Sequence, residues 1–282
     1  MRTLGELLRE GRQELAQCRI ENGEADAWYL LEYVCGIDKN YYFMHTDDII
    51  EEAKEEQYRL LVGQRSRHVP LQYLTYTAYF MGLSFCVNEH VLIPRQDTEI
   101  LVETILERIP EGARVLDLCT GSGCIVISLL KYGRGLQGTG SDISGKALET
   151  AGKNAAQNGV NPRFIKSDLF ENIEGCYDVI VSNPPYIRTD VIPTLMDEVR
   201  LHEPLLALDG KDDGLYFYRQ IIRKAGQYLE ENGMLAFEIG FDQGEALTEL
   251  LCDAGYRDVQ IIRDLGGRNR VALGKKCSKR RE

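Results

Sequence analysis

The tetrapeptide Asn183-Pro184-Pro185-Tyr186 concentrates more usable chemistry than any other stretch of this chain. It follows a short apolar run, Tyr177 to Ser182, that reads as a strand, so it falls on a loop at a strand's carboxyl end. Open α/β sheets bind their ligands along that edge. The Asn183 side chain offers one acceptor and two donors. Pro184 has no N–H, and Pro185 pushes it into an extended conformation, which leaves the Pro184 carbonyl without a helical partner. Tyr186 can lay its ring along a flat group. Two acceptors beside an aromatic plane make a holder for a planar –NH₂ group. In isolation the same residues also fit a simple polar turn.

A second constellation lies upstream. The strand Arg114–Leu118 runs into Cys119-Thr120-Gly121-Ser122-Gly123, a turn whose glycines let backbone approach a ligand at a helix N-terminus. A dinucleotide fingerprint needs a further glycine where this chain has Val126, which weakens a nicotinamide reading. Asp117 inside the turn and Asp142 at the end of the second strand fit another ligand better. The Asp142 carboxylate can take both ribose hydroxyls of S-adenosylmethionine, which needs no pyrophosphate site and brings its own ammonium and sulfonium charges. Asp168, after the third strand, is placed to meet an adenine amino group, with Leu169 and Phe170 available to pack on the ring. Residues 140–147 nearly spell a P-loop, but Ala147 lacks the hydroxyl that would hold magnesium, and Ser144 is better read as a helix N-cap. A methyl donor at the first three turns and an amino-group holder at the fourth is a methyltransferase arrangement, with no metal required.

The elements that must position these residues are legible in outline. The 282-residue chain is 44% hydrophobic and 27% charged, a globular balance. Its formal charge of −11 and pI near 5.0 argue against a protein built mainly to grip duplex nucleic acid. Eight scattered cysteines without a C-x-x-C pair, and four dispersed histidines, give no zinc spacing. With no signal peptide legible, they point to a reducing cytosol, hence a cytoplasmic location. The longest apolar run, Cys124 to Leu130, is too short to span a bilayer.

Residues 1–75 read as a small helical bundle. Thr3 with Glu6 matches a capping box ahead of Leu4, Leu7, Leu8 and Leu15. A second amphipathic stretch carries Trp28, Leu31, Val34 and Cys35. Asp48 with Glu51 is expected to cap a third, striped by Ile50, Ala53, Leu60 and Leu61. Residues 76–95 read as a β-hairpin linker, with Leu83, Phe85 and Val87 alternating, then Val91 and Ile93, and Asn88-Glu89 between. From 96 to 282 the pattern becomes strand, glycine turn, helix, repeated. Seven strand candidates begin at Arg114, Gln137, Arg163, Tyr177, Met234, Asp258 and Arg270. That alternation predicts a seven-stranded doubly wound α/β sheet, its last two strands an antiparallel pair across Gly266-Gly267. Lys275, Lys276, Lys279, Arg280 and Arg281 read as a solvated basic tail. Arg95 and Glu99 read as braces between hairpin and donor turn.

Taken in order, Leu92-Ile93-Pro94-Arg95-Gln96-Asp97-Thr98-Glu99, then Asp117 to Gly123, then Asn183-Pro184-Pro185-Tyr186-Ile187 resembles the PrmC (HemK) family, from about Leu71 to Leu273. The resemblance implies a class I S-adenosylmethionine-dependent methyltransferase domain. It implies a protein-(glutamine-N5) methyltransferase acting on the Gly-Gly-Gln glutamine of class I peptide chain release factors. It puts Cys119 to Gly123, Asp142, Leu169 and Asn183 against the donor, and Asn183 to Tyr186 against the glutamine. The helical front end would then read the protein substrate. Departures from the family pattern are Gln96 in place of proline, Tyr76 and Cys119 in place of glycine, and Leu169 in place of an aromatic.

Other readings compete. Enzymes methylating adenine or guanine amino groups also carry such a tetrapeptide, but those acting on DNA flip the base and bring a basic recognition region, absent here. A glutamine methyltransferase of a ribosomal protein typically departs from Asp97-Thr98-Glu99. A donor-binding scaffold would not need all of Asn183 to Tyr186. Neither membrane nor duplex nucleic acid is expected as a partner.

Overall fold

The computed structural model describes residues Arg2 to Cys277, so Lys279, Arg280 and Arg281 of the expected tail lie outside the described residues. Two compact units divide the chain: Met1–Tyr76 with Met196–His202, and Thr77–Leu195 with Glu203–Glu282.

In the first unit, α1 (Leu4–Gln17) begins at a complete capping box, in which Glu6 N donates to Thr3 Oγ1 and Thr3 N donates to the Glu6 carboxylate. It buries Leu4, Leu7, Leu8 and Leu15, the face its spacing predicts. α2 (Gly23–Cys35) joins that core through Trp28, Leu31 and Val34. Asp38 caps a short α3 (Lys39–Met44). α4 (Glu52–Arg65) overturns an expectation: its N-cap is Glu51 without a side-chain bond, Ile50 precedes it, and Leu60 is exposed. The buried stripe is Tyr58, Val62 and Arg65. Arg65 turns inward because a carboxylate waits there. Its Nε donates to Asp26 Oδ2 at 2.7 Å, and its other arms reach Glu198 and the Val69 carbonyl. α5 (Leu71–Leu74) follows.

The second unit opens on an antiparallel hairpin, β1 (Thr77–Phe80) and β2 (Leu83–Cys86). Its turn is Met81-Gly82, with φ of 51° and 70°, as two-residue hairpin turns of the primed kind require. The expected turn at Asn88-Glu89 is therefore corrected, and residues 88–93 form no strand. Asn88 instead accepts from His90 N and donates to Thr150 Oγ1. Val91 and Ile93 are buried from a loop. Then come α6 (Gln96–Leu106), β3 (Arg114–Leu118), α7 (Cys124–Tyr132), β4 (Gln137–Asp142), α8 (Gly145–Asn158), β5 (Arg163–Lys166) and β6 (Tyr177–Ser182). The chain visits the first unit as α9 (Asp197–His202). It returns through α10 (Tyr216–Ala225), β7 (Leu229–Glu238), α11 (Gly244–Asp253), β8 (Tyr256–Arg263) and β9 (Asn269–Lys276).

These strands form one sheet in the order β5-β4-β3-β6-β7-β9-β8. The first five run parallel, and β9 pairs antiparallel with both β7 and β8. Alternate residues feed two cores. Val115, Val179, Val181 and Ala236 join Leu101 of α6 and Ile125 of α7, while Leu116, Ile180, Leu235 and Phe237 join Ile221 of α10 and Leu247 of α11. Burial on both faces is why β3, β6 and the 234–237 part of β7 read as near-continuous apolar runs. Lys275 and Lys276 belong to β9 rather than to a solvated tail, and Lys276 Nζ donates to the Leu229 carbonyl at 2.6 Å. Strand order reverses at β3, with β4 on one side and β6 on the other. Ligands of such sheets bind at that switch point.

Candidate active site

A cavity of about 510 Å³ opens at the carboxyl ends of β3, β4, β5 and β6, all within the second unit. That lies inside the roughly 300–1,000 Å³ of small-molecule sites. Cys119, Thr120, Gly121, Ser122, Asp142 and Asp168 line it, as do Leu169, Asn183 and Pro185. Gly123, Pro184 and Tyr186 are not part of its lining.

The turn after β3 is shaped by two carboxylates. Asp117 is fully buried, and its Oδ2 accepts from Thr120 Oγ1 at 2.6 Å and from Val126 N at 3.3 Å. Its Oδ1 has no hydrogen-bond partner among the described residues, and burial pushes the carboxyl up to about 7. Asp142 accepts from Gly121 N through Oδ2 and from Ser144 N through Oδ1, both at 2.9 Å. Burial raises its carboxyl above the ordinary range, and these backbone bonds pull it back. Each Asp142 oxygen keeps a lone pair for a further donor. Ser144 caps α8 by accepting from Ala147 N, which leaves nothing of a phosphate loop. Gly123 holds φ +80°, and a Cβ there would stand 2.9 Å from Ile127 Cδ1, so this glycine serves helix packing. Cys119 and Leu169 also adopt left-handed backbone, at φ 58° and 48°. Asn154 of α8 ties this turn to the hairpin, donating to the carbonyls of Ser122 and Cys86 and accepting from Cys86 N. The exposed Asp168 carboxylate and the side chains of Ile143, Leu169 and Phe217 complete a wall suited to a ligand with hydroxyls, a flat ring and positive charge.

The loop after β6 is held from several directions. Asn183 Nδ2 lies 3.4 Å from Thr98 Oγ1, a long bond. Asn183 Oδ1 and the Pro184 carbonyl accept no hydrogen bond among the described residues. The Tyr186 hydroxyl donates to Glu238 Oε1 at 3.1 Å, and its ring packs at the edge of the α10–α11 core. Burial and the neighbouring Glu238 hold that hydroxyl protonated, above its ordinary range. Gln243 Nε2 donates to the Tyr186 carbonyl at 3.2 Å. A Cβ on Gly210 would fall 2.6 Å from Tyr186 Cα, and one on Gly214 2.4 Å from Tyr186 O. Ile187 N bonds the Leu208 carbonyl and Gly210 N bonds the Ile187 carbonyl, so the loop's exit is clamped.

Sequence reasoning singled out none of Thr98, Gly210, Gly214, Glu238 and Gln243 as site residues. Glu238 had a signal: it is the one acid in the otherwise apolar run Met234 to Ile239. Glu99 does brace the hairpin, accepting from Met81 N at 2.5 Å, and Arg95 lines the cavity while pairing with buried Glu203. Of the histidines, His90 lines the cavity, and His45, His68 and His202 find partners within the first unit.

Comparison with known proteins places this geometry. Residues 6–75 match the PrmC N-terminal domain, and residues 95–199 match the methyltransferase small domain. A methyltransferase from Pyrococcus furiosus superposes with TM-score 0.54 at 19% identity, covering 71% of this chain and 91% of that one. The Thermus thermophilus 16S rRNA N2 G1207 methyltransferase, solved with AdoMet and guanosine, gives 0.51 at 18% identity over 71% of this chain and 50% of its own. These likenesses establish the fold. The release factor glutamine methyltransferase of Agrobacterium fabrum is 40% identical over 92% of this chain and 93% of its own length. That of Clostridium botulinum is 40% identical over 97% of this chain and 99% of its own. Identity at that level across nearly the whole of both relatives means that the chain belongs to the release factor glutamine methyltransferase family.

Proposed function

We propose that this chain transfers a methyl group from S-adenosylmethionine to the side-chain amide nitrogen of the glutamine in the Gly-Gly-Gln motif of class I peptide chain release factors. The observation that carries the reading is the pair of acceptors without partners, Asn183 Oδ1 and the Pro184 carbonyl, on a loop beside a carboxylate-lined cavity. S-adenosylmethionine, when bound, supplies an electrophilic methyl group on a sulfonium. Asp142 would hold the ribose hydroxyls with its remaining lone pairs, Asp168 the adenine amino group, and Leu169 the ring. The backbone of Cys119 to Ser122 would meet the amino-acid end, with Gly123 behind it packing the turn against α7 and α8.

A glutamine amide nitrogen is a poor nucleophile, because its lone pair is delocalised into the carbonyl. Asn183 Oδ1 and the Pro184 carbonyl would each accept one amide N–H and turn the nitrogen's out-of-plane face toward the methyl group. Both acceptors also stabilise the positive charge that develops on nitrogen as the new N–C bond forms and the S–C bond breaks. Alignment for in-line transfer adds the proximity contribution. Tyr186 closes the loop, Pro185 contributes to the cavity wall, and the surplus proton leaves to water. The helical unit, Met1–Tyr76, would read the release factor, whose glycine-rich loop offers few side chains. A release factor substrate would place the enzyme in the cytoplasm. Among the described residues no helix is long and apolar enough to cross a membrane.

The test is mass spectrometry of a class I release factor after incubation with enzyme and donor, alongside a ribosomal protein substrate and a nucleic acid. One added methyl on the Gly-Gly-Gln glutamine supports the reading, and modification of either other substrate instead overturns it. Asn183→Ala should cut turnover by about two orders of magnitude, the scale of losing one oriented polar group. Near-wild-type turnover at saturating donor would falsify the assignment of Asn183.

A further inference from the structure

Glu238 ends β7 with 2% of its surface exposed, and no cation among the described residues lies within salt-bridge distance of it. An ionised carboxylate in such a place is costly unless its oxygens are bonded. Both are. Thr98 Oγ1 donates to Oε2 and the Tyr186 hydroxyl donates to Oε1, so one side chain grips the supports of both ends of the Asn183–Tyr186 loop. Arg270, whose positive charge acts on Glu238, is tied to Asp97 and Asp264 at 3.0 Å each.

The proton order follows. An ionised carboxylate can only accept. Burial raises the Glu238 carboxyl above its ordinary range, and the bonds from Thr98 and Tyr186 pull it back toward the ionised form that accepts from both. Thr98 has a single hydroxyl proton and gives it to Glu238, so it turns only lone pairs toward Asn183. Asn183 must then present Nδ2 to Thr98, because the flipped amide would set two oxygens 3.4 Å apart with no proton between them. Oδ1 is thereby left to face an incoming N–H. We propose that Glu238, through Thr98, is the positioning residue that fixes the amide orientation of Asn183, and that it anchors Tyr186 with its second oxygen. This inference rests on the proposed role of Asn183 as the acceptor for the substrate amide.

The decisive variants keep shape and change the hydrogen bonding, Glu238→Gln removing a negative charge as well. In Glu238→Gln one carboxylate oxygen becomes an –NH₂ group, so the side chain cannot accept from Thr98 on one oxygen and from Tyr186 on the other. If its –NH₂ faces Thr98, the threonine proton swings toward Asn183 and favours the flipped amide. Thr98→Val removes the relay at nearly constant volume. Each should lower kcat on the order of 10- to 100-fold, somewhat less than loss of the oriented group itself. Donor affinity measured by calorimetry should fall less than kcat in both variants, because neither side chain is among those proposed to hold the donor. That holds even though Thr98 lines the cavity and Glu238→Gln removes a buried negative charge. Thr98→Ser returns the hydroxyl and should recover most of the turnover lost in Thr98→Val. The double variant Glu238→Gln/Thr98→Val should lose little more than the worse single one, since both changes cut one chain of bonds. Wild-type kcat in both single variants, or losses that multiply in the double variant, overturn the proposal. A second readout does not depend on which substrate is methylated. The Asn183 side-chain amide resonances in ¹⁵N–¹H spectra should shift in both variants, and unchanged resonances overturn the relay. Should wild-type enzyme leave release factors unmethylated, the proposed function fails, while those resonances still decide the relay.

Discussion

Replacing Gly214 by alanine asks whether the Asn183–Tyr186 loop takes its shape from residues far along the chain. Gly214 holds φ +72°, where an L side chain costs about 1–2 kcal/mol. The new Cβ would also stand 2.4 Å from Tyr186 O and 2.8 Å from Gln243 Nε2. Overpacking of this kind costs about 1–3 kcal/mol, so the two effects together reach about 2–5 kcal/mol. The nearer contact is with backbone, which cannot swing aside as a side-chain tip would. Relief must move the Tyr186 peptide or break the Gln243 bond to it, and either motion carries Asn183 and Pro184 along. A displacement near 1 Å at a reacting group can cost on the order of 100-fold in rate. Urea unfolding should therefore show the stability loss, and a labelled-methyl assay should show turnover falling by about 10- to 100-fold. Wild-type stability together with wild-type turnover in Gly214→Ala would refute the claim that this glycine is required by close approach to Tyr186.

Other expectations are checked more briefly. Gly152 lies inside α8 with open space around its Cβ position, so Gly152→Ala should stabilise by about 0.5–1 kcal/mol, and a lower melting temperature would contradict that. Arg65→Leu leaves the buried Asp26 carboxylate without its cation and should cost about 3–5 kcal/mol in urea unfolding; an unchanged midpoint would argue against a buried ion pair. Asp117, pushed up to about 7 in the folded state, binds its proton more tightly folded than unfolded, so ionising it opposes folding. Its destabilising contribution should grow between about pH 4 and pH 7 and then level off, so Asp117→Asn should gain stability relative to wild type across that window. A difference in melting temperature that does not vary with pH would rule this out.

The centre of the sheet was legible because β3, β6 and the 234–237 part of β7 are buried on both faces and so read as apolar runs. β3, β5 and β6 fall within the bounds their residues suggest. The hairpin was misplaced by a real signal. Val91 and Ile93 are buried as the alternation implied, but from a loop, and the turn Met81-Gly82 lacks the usual asparagine or aspartate. In α4, counting apolar positions assumes that charges face outward, and Arg65 breaks the assumption because Asp26, on another helix, faces it. The same division holds at the site. Residues 119–123 and 183–186 are contiguous and could be read directly. The residues that set their geometry come from α6, from β7 and from the loop around Gly210 and Gly214, and no local pattern joins them.

The departures from glycine sharpen that division. The family resemblance puts glycine at positions 76 and 119, and this chain carries Tyr76 and Cys119 at φ 53° and 58°. A non-glycine residue in that region costs about 1–2 kcal/mol, so the conformation is kept against a local preference. At Cys119 the opposing forces are visible. Thr120 N is tied to the Ser141 carbonyl at 2.9 Å, Asp117 holds the Thr120 hydroxyl, and Asp142 holds Gly121 N. With the following residues fixed in this way, the backbone at 119 has little freedom to relax. Burial holds its thiol protonated, above the ordinary range, so the side chain packs as a small neutral group. The left-handed bend is thus imposed by two carboxylates at strand ends rather than by an absent side chain. Counting glycines therefore underestimates how firmly this turn is specified.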